Sequence, residues 1–293
     1  MHDYKIEDYI SPLFYRIKYI SGIHTEDTTR PDYHNSLNLI FIFFIKGHGK
    51  IKIDGVYYEI NEGNIIALNP SEFFLFNVDN NCFHERIVLF TNMRMVNSFP
   101  CDCSTIFSRL YKRKKGVGNK IPSNVVKENN IDRLFYELLE IARDKSETSA
   151  PLSICKIVEI LCAINKVIDK TPTKSPDYVS KNPMIDNVLD YINENYTNHI
   201  TIQDIAEHVH IHRSYLSHKF KEQVGISLWN YVILRRIYKF NALITDNNSI
   251  EKSAYDVGFE NYSNFFRLYK KHMGTTPMEF KKQFKENLST IAD

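Results

Sequence analysis

Two hydrophobic periods divide this chain. Up to about residue 92, apolar residues alternate with polar ones or run in short blocks between turn signals, as strands require. Phe14 to Ile20 sets Arg16 and Lys18 against Ile17 and Tyr19. Asn38 to Ile45 is a near-continuous apolar run, the pattern of a strand buried on both faces. Lys50 to Ile53, then Asp54-Gly55, then Val56 to Ile60 predicts a hairpin, because Asp-Gly supplies the positive φ angles of a type I′ turn. Asn61-Glu62-Gly63 and Asn69-Pro70 turn the chain before further strands at Asn64–Leu68 and Phe73–Val78, and Glu85–Phe90 closes the set. Short strands with regular turns predict a sandwich or small barrel.

Beyond the strands the period becomes helical. Ile131, Leu134, Phe135, Leu138, Leu139 and Ala142 share one stripe, and Ile154, Ile157, Val158, Leu161, Asn165 and Ile168 another. Ser146 to Pro151 separates them, which predicts an antiparallel helix pair able to pack on the barrel or on a second copy of the chain. Thr171 to Pro183, with three prolines and two serines, reads as a linker. From Met184 on, apolar spacing predicts a first helix with Ile185, Val188, Leu189 and Ile192 inside. Further helices follow at about 202–209, 213–223, 228–244, 250–257, 262–273 and 277–285. The fold class is therefore α+β. A strand domain at 1–100 is followed by a helical connector at 101–170, a linker at 171–183 and an all-α domain at 184–293.

The helical domain contains a repeat. Ile205, Ala206 and Val209 form the inner face of a short helix, Val209-His210-Ile211 a tight turn, and Leu216 and Phe220 the buried face of the next helix. Arg213, Ser214, Ser217, His218 and Lys221 are left outward. The plan recurs with Ile250, Ala254 and Val257, then Gly258 and Phe259, then buried Phe265 and Tyr269. Tyr262, Ser263, Phe266, Arg267 and Lys270 are outward here, and Asn261 or Ser263 starts the second helix. Each pair is a helix-turn-helix, whose second helix fits the major groove of B-DNA, about 12 Å wide. The helix predicted between the two units is a rod of roughly 25 Å, which suits two recognition helices about one DNA turn, roughly 34 Å, apart.

Residues 184–285 resemble the DNA-binding domain of the AraC/XylS family of bacterial transcription regulators. The likeness rests on Ile202, Asp204-Ile205-Ala206, Tyr215-Leu216-Ser217, Phe220-Lys221 and Gly225. Arg236-Ile237 and Leu243-Ile244 continue it into the connecting helix. The second half matches at Ile250, Ala254, Gly258-Phe259, Ser263, Phe265, Arg267, Lys270-Lys271, Gly274 and Pro277. Three positions depart from the family pattern: His212 stands for the usual capping Ser, Phe240 for a small Ala, and Ser253 for Ile. The strand domain resembles a cupin-type sensor through Gly47, Gly49, Ile51 to Gly55, Tyr58, Gly63 and Asn69-Pro70. The resemblance implies activation through contact with RNA polymerase, promoter DNA as partner, a homodimer and a small-molecule effector.

Charge and candidate chemistry modify this picture little. A net charge of +2 over 293 residues leaves affinity for DNA to placed contacts rather than to a basic field. The cluster Lys112-Arg113-Lys114-Lys115 is expected to be a solvated face or loop, with DNA contact as the alternative. The N-terminus has no apolar core of a signal peptide and no apolar run is long enough to span a membrane, so a cytoplasmic protein is expected. The five cysteines make no CxxC and read as free thiols. Enzymatic cupins hold a metal on several histidines and a glutamate. His34 stands alone here, so no metal, no cofactor and no catalytic residue is expected. Candidate anchors for an effector in the barrel are Arg16, Tyr33, His34, Asn38, Tyr58, His84 and Arg86. The sequence thus reads as a ligand-controlled DNA-binding regulator. A regulator governed by a partner protein, or a metal-dependent cupin enzyme, is the alternative.

Overall fold

A computed structural model describes residues 5–11, 15–23, 38–54, 56–69, 72, 74–78, 82–92, 110, 113, 116–168, 183–245 and 248–282. The chain divides into two compact units. One holds most of the described residues up to Ile168, the other those from Pro183 on.

In the first unit the strands are β1 (Lys5–Ser11), β2 (Tyr15–Ile23), β3 (Asn38–Lys46), β4 (Gly49–Ile53), β5 (Val56–Ile60), β6 (Ile65–Leu68), β7 (Phe74–Val78), β8 (Phe83–Asn92) and the short β9 (Lys120–Ile121). They form two sheets, one in the order β1-β2-β8-β3-β6-β9 and one in the order β5-β4-β7. The β4–β5 hairpin is the predicted one. Ile53 pairs with Val56, and Asp54 takes a positive φ of 43°. Strand β1 escaped the sequence reading. It pairs with β2 along its whole length at a sheet edge, so Ile6 and Ile10 stay 53% and 61% exposed and no buried stripe marks it.

Strand β3 is buried on both faces, as its apolar run requires. Leu39, Phe41 and Phe43 face a core shared with Ile17, Ile65, Ala67, Ile87 and Leu89 and with three helices: α1 (Ser123–Glu128), α2 (Ile131–Asp144) and α3 (Ser149–Ile168). The helical pair therefore spends its apolar stripes on the sheet. Phe135 meets Phe43 at 5.5 Å between ring centroids. Pro151, read as part of the separator, sits instead in the first turn of α3, where its missing N–H is no loss. Arg143 of α2 reaches back to Glu7 of β1 at 2.8 Å and lies over the Tyr19 ring. Hydrogen bonds from Arg143, helped by Lys5, hold the Glu7 carboxyl at about 2.

The second unit is helical: α4 (Pro183–Asn195), α5 (Ile202–His208), α6 (Arg213–Val224), α7 (Leu228–Thr245), α8 (Ile250–Asp256) and α9 (Tyr262–Met273), with a further turn of helix at 277–282. One continuous core runs through it, from Ile185 and Val188 of α4 to Phe265 and Tyr269 of α9. The sequence reading gave the first of these helices by its apolar stripe alone and placed the others to within a residue or two at the described ends.

Candidate nucleic-acid interface

The first unit begins with a cap. Thr201 Oγ1 accepts from the Asp204 N–H at 3.2 Å, and the Asp204 carboxylate accepts from the Thr201 N–H at 2.8 Å. This reciprocal pair satisfies two N–H groups that a helix start leaves without partners. Helix α5 then ends in a turn where the Ile211 N–H donates to Ala206 O at 3.0 Å, and His210 takes a positive φ of 54°. Helix α6 buries Leu216 and Phe220 and closes at Gly225, whose N–H donates to Lys221 O at 2.8 Å.

The second unit repeats the turn and closing bonds. The Phe259 N–H donates to Ala254 O at 3.1 Å, Gly258 takes the positive φ at 94°, and the Gly274 N–H donates to Lys270 O at 3.0 Å. Before the turn, equivalent residues lie 48 apart (Ala206 and Ala254, Ile211 and Phe259). After it they lie 49 apart (Leu216 and Phe265, Phe220 and Tyr269). The extra residue is Glu260. Asn261 caps α9 with its side chain accepting from the Asn264 N–H at 2.9 Å. Of the two starts read from the sequence, Asn261 is the one used.

The ten outward residues read from the sequence fall into five equivalent pairs. Arg213, Ser214, Ser217, His218 and Lys221 of α6 match Tyr262, Ser263, Phe266, Arg267 and Lys270 of α9, each 49 residues apart. Eight are exposed, and Ser217 and Tyr262 are half-buried. Phe266 stays 37% exposed while its ring lies 6.5 Å from that of Tyr262. Arg267 keeps its guanidinium near its own helix by donating to Asn264 Oδ1 at 3.1 Å. Beside α6 lies an open groove of about 680 Å³, lined by Thr201, Gln203, Arg213, Ser214, Ser217 and Trp229. Sequence reasoning missed Gln203 and Trp229. The Thr201-x-x-Asp204 capping pattern was the signal that could have located this rim.

Two of the three departures from the family pattern have physical accounts. His212 itself caps α6, its Nδ1 accepting from the Ser214 N–H at 3.3 Å. Phe240 is fully buried against Phe265 at 4.5 Å and Tyr269 at 5.5 Å, so the larger ring fills the space between α7 and α9. Tyr269 donates to Asn241 Oδ1 at 2.7 Å, and burial pushes its phenol well above the usual range. Ser253 is buried with an unsatisfied hydroxyl, and nothing in the structure explains why it replaces an apolar residue.

Comparison with known proteins matches this arrangement to two family models. Residues 205–283 match a helix-turn-helix domain, and residues 14–154 match the AraC-like ligand binding domain. An uncharacterized HTH-type regulator in the cgkA 5′ region of Pseudoalteromonas carrageenovora is 33% identical over 112 residues, 38% of this chain and 67% of that protein. The chain belongs to the AraC family. The uncharacterized HTH-type transcriptional regulator YdiP of Escherichia coli K12 is 33% identical over 37% of this chain and 36% of its own length. The melibiose operon regulatory protein of the same strain is 28% identical over 43% and 42%. The matched part thus spans about four tenths of the length of these two relatives.

Within the span of the AraC-like ligand-binding model, the candidate anchors do not gather at one point. Arg16, His84 and Arg86 share the sheet face that carries Ile40, Ile42 and Phe44, opposite the helices. Arg16 stands across from Phe90 and Arg86 across from Ile20, four residues apart along the strands, or about 13 Å. Arg16 is ion-paired with Asp8 of β1. His84 is buried against Gly47, where an added Cβ would also lie 2.9 Å from Phe83 O. Tyr58 is buried and donates its hydroxyl to Gly116 O at 2.7 Å. Asn38 opens β3 opposite Asn92. Tyr33 and His34 lie outside the described residues. Among the described residues no group of His, Cys, Asp and Glu could hold a metal ion.

A polar hub in this domain was missed from the sequence. The Glu72 carboxylate accepts from the Gly116 N–H at 2.9 Å, the Asn69 N–H at 2.7 Å and Asn119 Nδ2 at 2.8 Å. Arg113 lies 3.6 Å from it and donates to Ala67 O and Gly118 O. Arg113 therefore corrects the expectation of a solvated basic cluster. Its side chain is 11% exposed and turned inward, a partly buried cation with its counter-charge beside it. The other members of that cluster lie outside the described residues. Cys82, Cys155 and Cys162 are free, and Cys101 and Cys103 also lie outside. No described helix is long and apolar enough to cross a membrane.

Proposed function

We propose that this chain is a cytoplasmic, sequence-specific DNA-binding transcription regulator rather than an enzyme, with residues 1–100 as sensor and 184–293 as reader of promoter DNA. The carrying observation is the coincidence of two independent features. Two helix-turn-helix units repeat the same turn and helix-closing bonds, and the ten side chains they leave outward fall into five equivalent pairs. In this reading α6 and α9 enter successive major-groove segments on one face of DNA, joined by α7, an 18-residue rod of about 27 Å. Arg267 reads a base edge, Phe266 meets a thymine methyl, and Lys221 and Lys270 hold phosphates. Arg213, Thr201 and Gln203 offer donors in the groove beside α6, where the DNA backbone passes.

A small molecule bound in the N-terminal domain controls this activity, with Arg16, Tyr33, His34, Asn38, Tyr58, His84 and Arg86 as candidate anchors. It acts by binding one arrangement of the regulator better than another. The protein acts as a homodimer and as an activator that contacts RNA polymerase. The names of its relatives, which include an operon regulator, support the regulatory role.

The test is a band-shift titration on DNA selected by the full chain from a random pool. Arg267→Ala weakens binding by about 1–3 kcal/mol and relaxes selection at one base pair, while Lys270→Ala weakens all sequences alike and lowers the salt slope by about one. Unchanged affinity in Arg267→Ala rejects the placement of α9 in the groove.

A further inference from the structure

The middle of α7 carries a buried cation that the DNA-reading face does not use. Arg236 is 6% exposed, and no carboxylate is hydrogen-bonded to it among the described contacts. Its Nε donates to Tyr196 O at 2.7 Å and its Nη2 to Asn198 O at 2.9 Å. The guanidinium lies 5.6 Å from the centre of the Trp229 ring and 5.8 Å from that of Phe259. Burial alone lowers its proton affinity, offset by the nearby charge of Glu260.

These partners belong to three different parts of the domain. Tyr196 and Asn198 are in the loop that leads into α5, the entry to the first helix-turn-helix. Phe259 is the corner residue of the second unit's turn. Arg236 itself is on the helix that joins the two units. The second turn is pressed onto the same loop: a Cβ on Gly258 would lie 2.7 Å from Thr197 O and 3.1 Å from Arg236 Nε. Glu260, the one residue by which the second unit exceeds the first, pairs with His199 of that loop at 2.7 Å. A planar fork is needed to serve two carbonyls while facing two rings, and a lysine ammonium cannot do both.

We propose that Arg236 is a positioning residue that fixes the spacing and phase at which the two recognition helices engage DNA. It clamps the entry of the first unit to the turn of the second, so the module cannot bend about α7. The inference rests on the DNA-reading proposal above. It matters because each base pair inserted between two half-sites displaces the second by about 3.4 Å and rotates it by about 35°. A rigid module cannot follow that change, and a loosened one can. Rigid linkage also gives the second half-site its high effective concentration.

The test uses the full chain and the bipartite site it selects from a random DNA pool, with one or two base pairs inserted or removed between the half-sites. The wild type loses about tenfold or more in affinity for one inserted base pair, the loss typical of a mismatched site. Arg236→Met removes both hydrogen bonds and the charge. Its penalty for the insertion falls to within about threefold, while its binding to a probe carrying one half-site stays near that of the wild type. Arg236→Lys, which keeps the charge but not the fork, falls between them and serves where the methionine variant does not fold. A variant that is weakened equally on every spacing, or not weakened at all, overturns the proposal and leaves Arg236 as a packing residue. A wild type that selects no sequence overturns the DNA-reading proposal itself and this one with it.

Discussion

The two helix-turn-helix units are built on one plan but held by different means. The first has a reciprocal Thr201–Asp204 cap, a turn forced through His210 at φ 54°, and a recognition helix capped by a histidine at 3.3 Å. The second has a Ser249 cap, a turn through Gly258, and a recognition helix capped by Asn261 at 2.9 Å. Their cores draw on opposite ends of α7: Phe220 of the first meets Tyr231, and Phe265 and Tyr269 of the second meet Phe240. The reading faces differ as well, since Arg267 in the second stands where the first has His218. The first unit tolerates local strain on a well-capped entry helix. The second has a permissive turn and a larger aromatic cluster. Repetition of backbone hydrogen bonds thus fixes the shape of each unit, while the side chains distribute stability and base contacts unequally.

The strongest way to break this contrast is to empty the second unit's core. Phe240→Ala removes a fully buried ring in contact with two others and is expected to cost about 3–5 kcal/mol. If the units draw separately on α7, amide exchange speeds most in α8 and α9 and less in α5 and α6. Equal loss of protection in all four helices would mean that the single core melts as one body and the contrast is confined to the surface.

The equivalent turn residues give a pair of opposite signs. Gly258→Ala places a methyl against the Thr197 carbonyl at a positive φ and is expected to destabilise by about 1–3 kcal/mol. His210→Gly at the matching position relieves a left-handed conformation in an exposed residue and is expected to stabilise by about 0.5–1 kcal/mol. Urea denaturation of both variants decides it. A loss at His210→Gly would show that this side chain contributes more than its backbone costs.

The pair of units was legible in the sequence because its signals are local. Apolar spacing marks the helices, Ala206 and Ala254 the crossing points, and Gly225 and Gly274 the ends. The DNA-facing residues follow once the buried face is known. The sheet was legible where a strand is buried, as in β3, and not at β1, whose outward apolar residues carry no burial pattern. What escaped were contacts that join distant segments. Glu72 gathers partners from residues 69 and 113–119, and Arg236 reaches residues 196–198 and Phe259. No periodicity announces such pairs, and a run of basic residues disguised Arg113 as solvated. The effector anchors were chosen by residue type alone, and type does not say that the Tyr58 hydroxyl is engaged with Gly116 or that Arg16 and Arg86 stand four residues apart on the sheet.

The recognition-helix caps give the smallest and most direct comparison. A carboxamide oxygen at 2.9 Å from an N–H is a full cap, whereas an imidazole nitrogen at 3.3 Å lies beyond the usual hydrogen-bond distance. Asn261→Ala is therefore expected to cost about 1 kcal/mol and His212→Ala a few tenths. His212→Asn should bring the first helix up to the standard of the second, with a gain of about 0.5–1 kcal/mol. Both residues lie at exposed helix starts, so the core is undisturbed and thermal melts report the cap itself. Equal losses at the two alanine variants would mean that His212 caps as well as Asn261 does. The first unit would then owe its strain to His210 alone, and its departure from serine at this position would carry no cost.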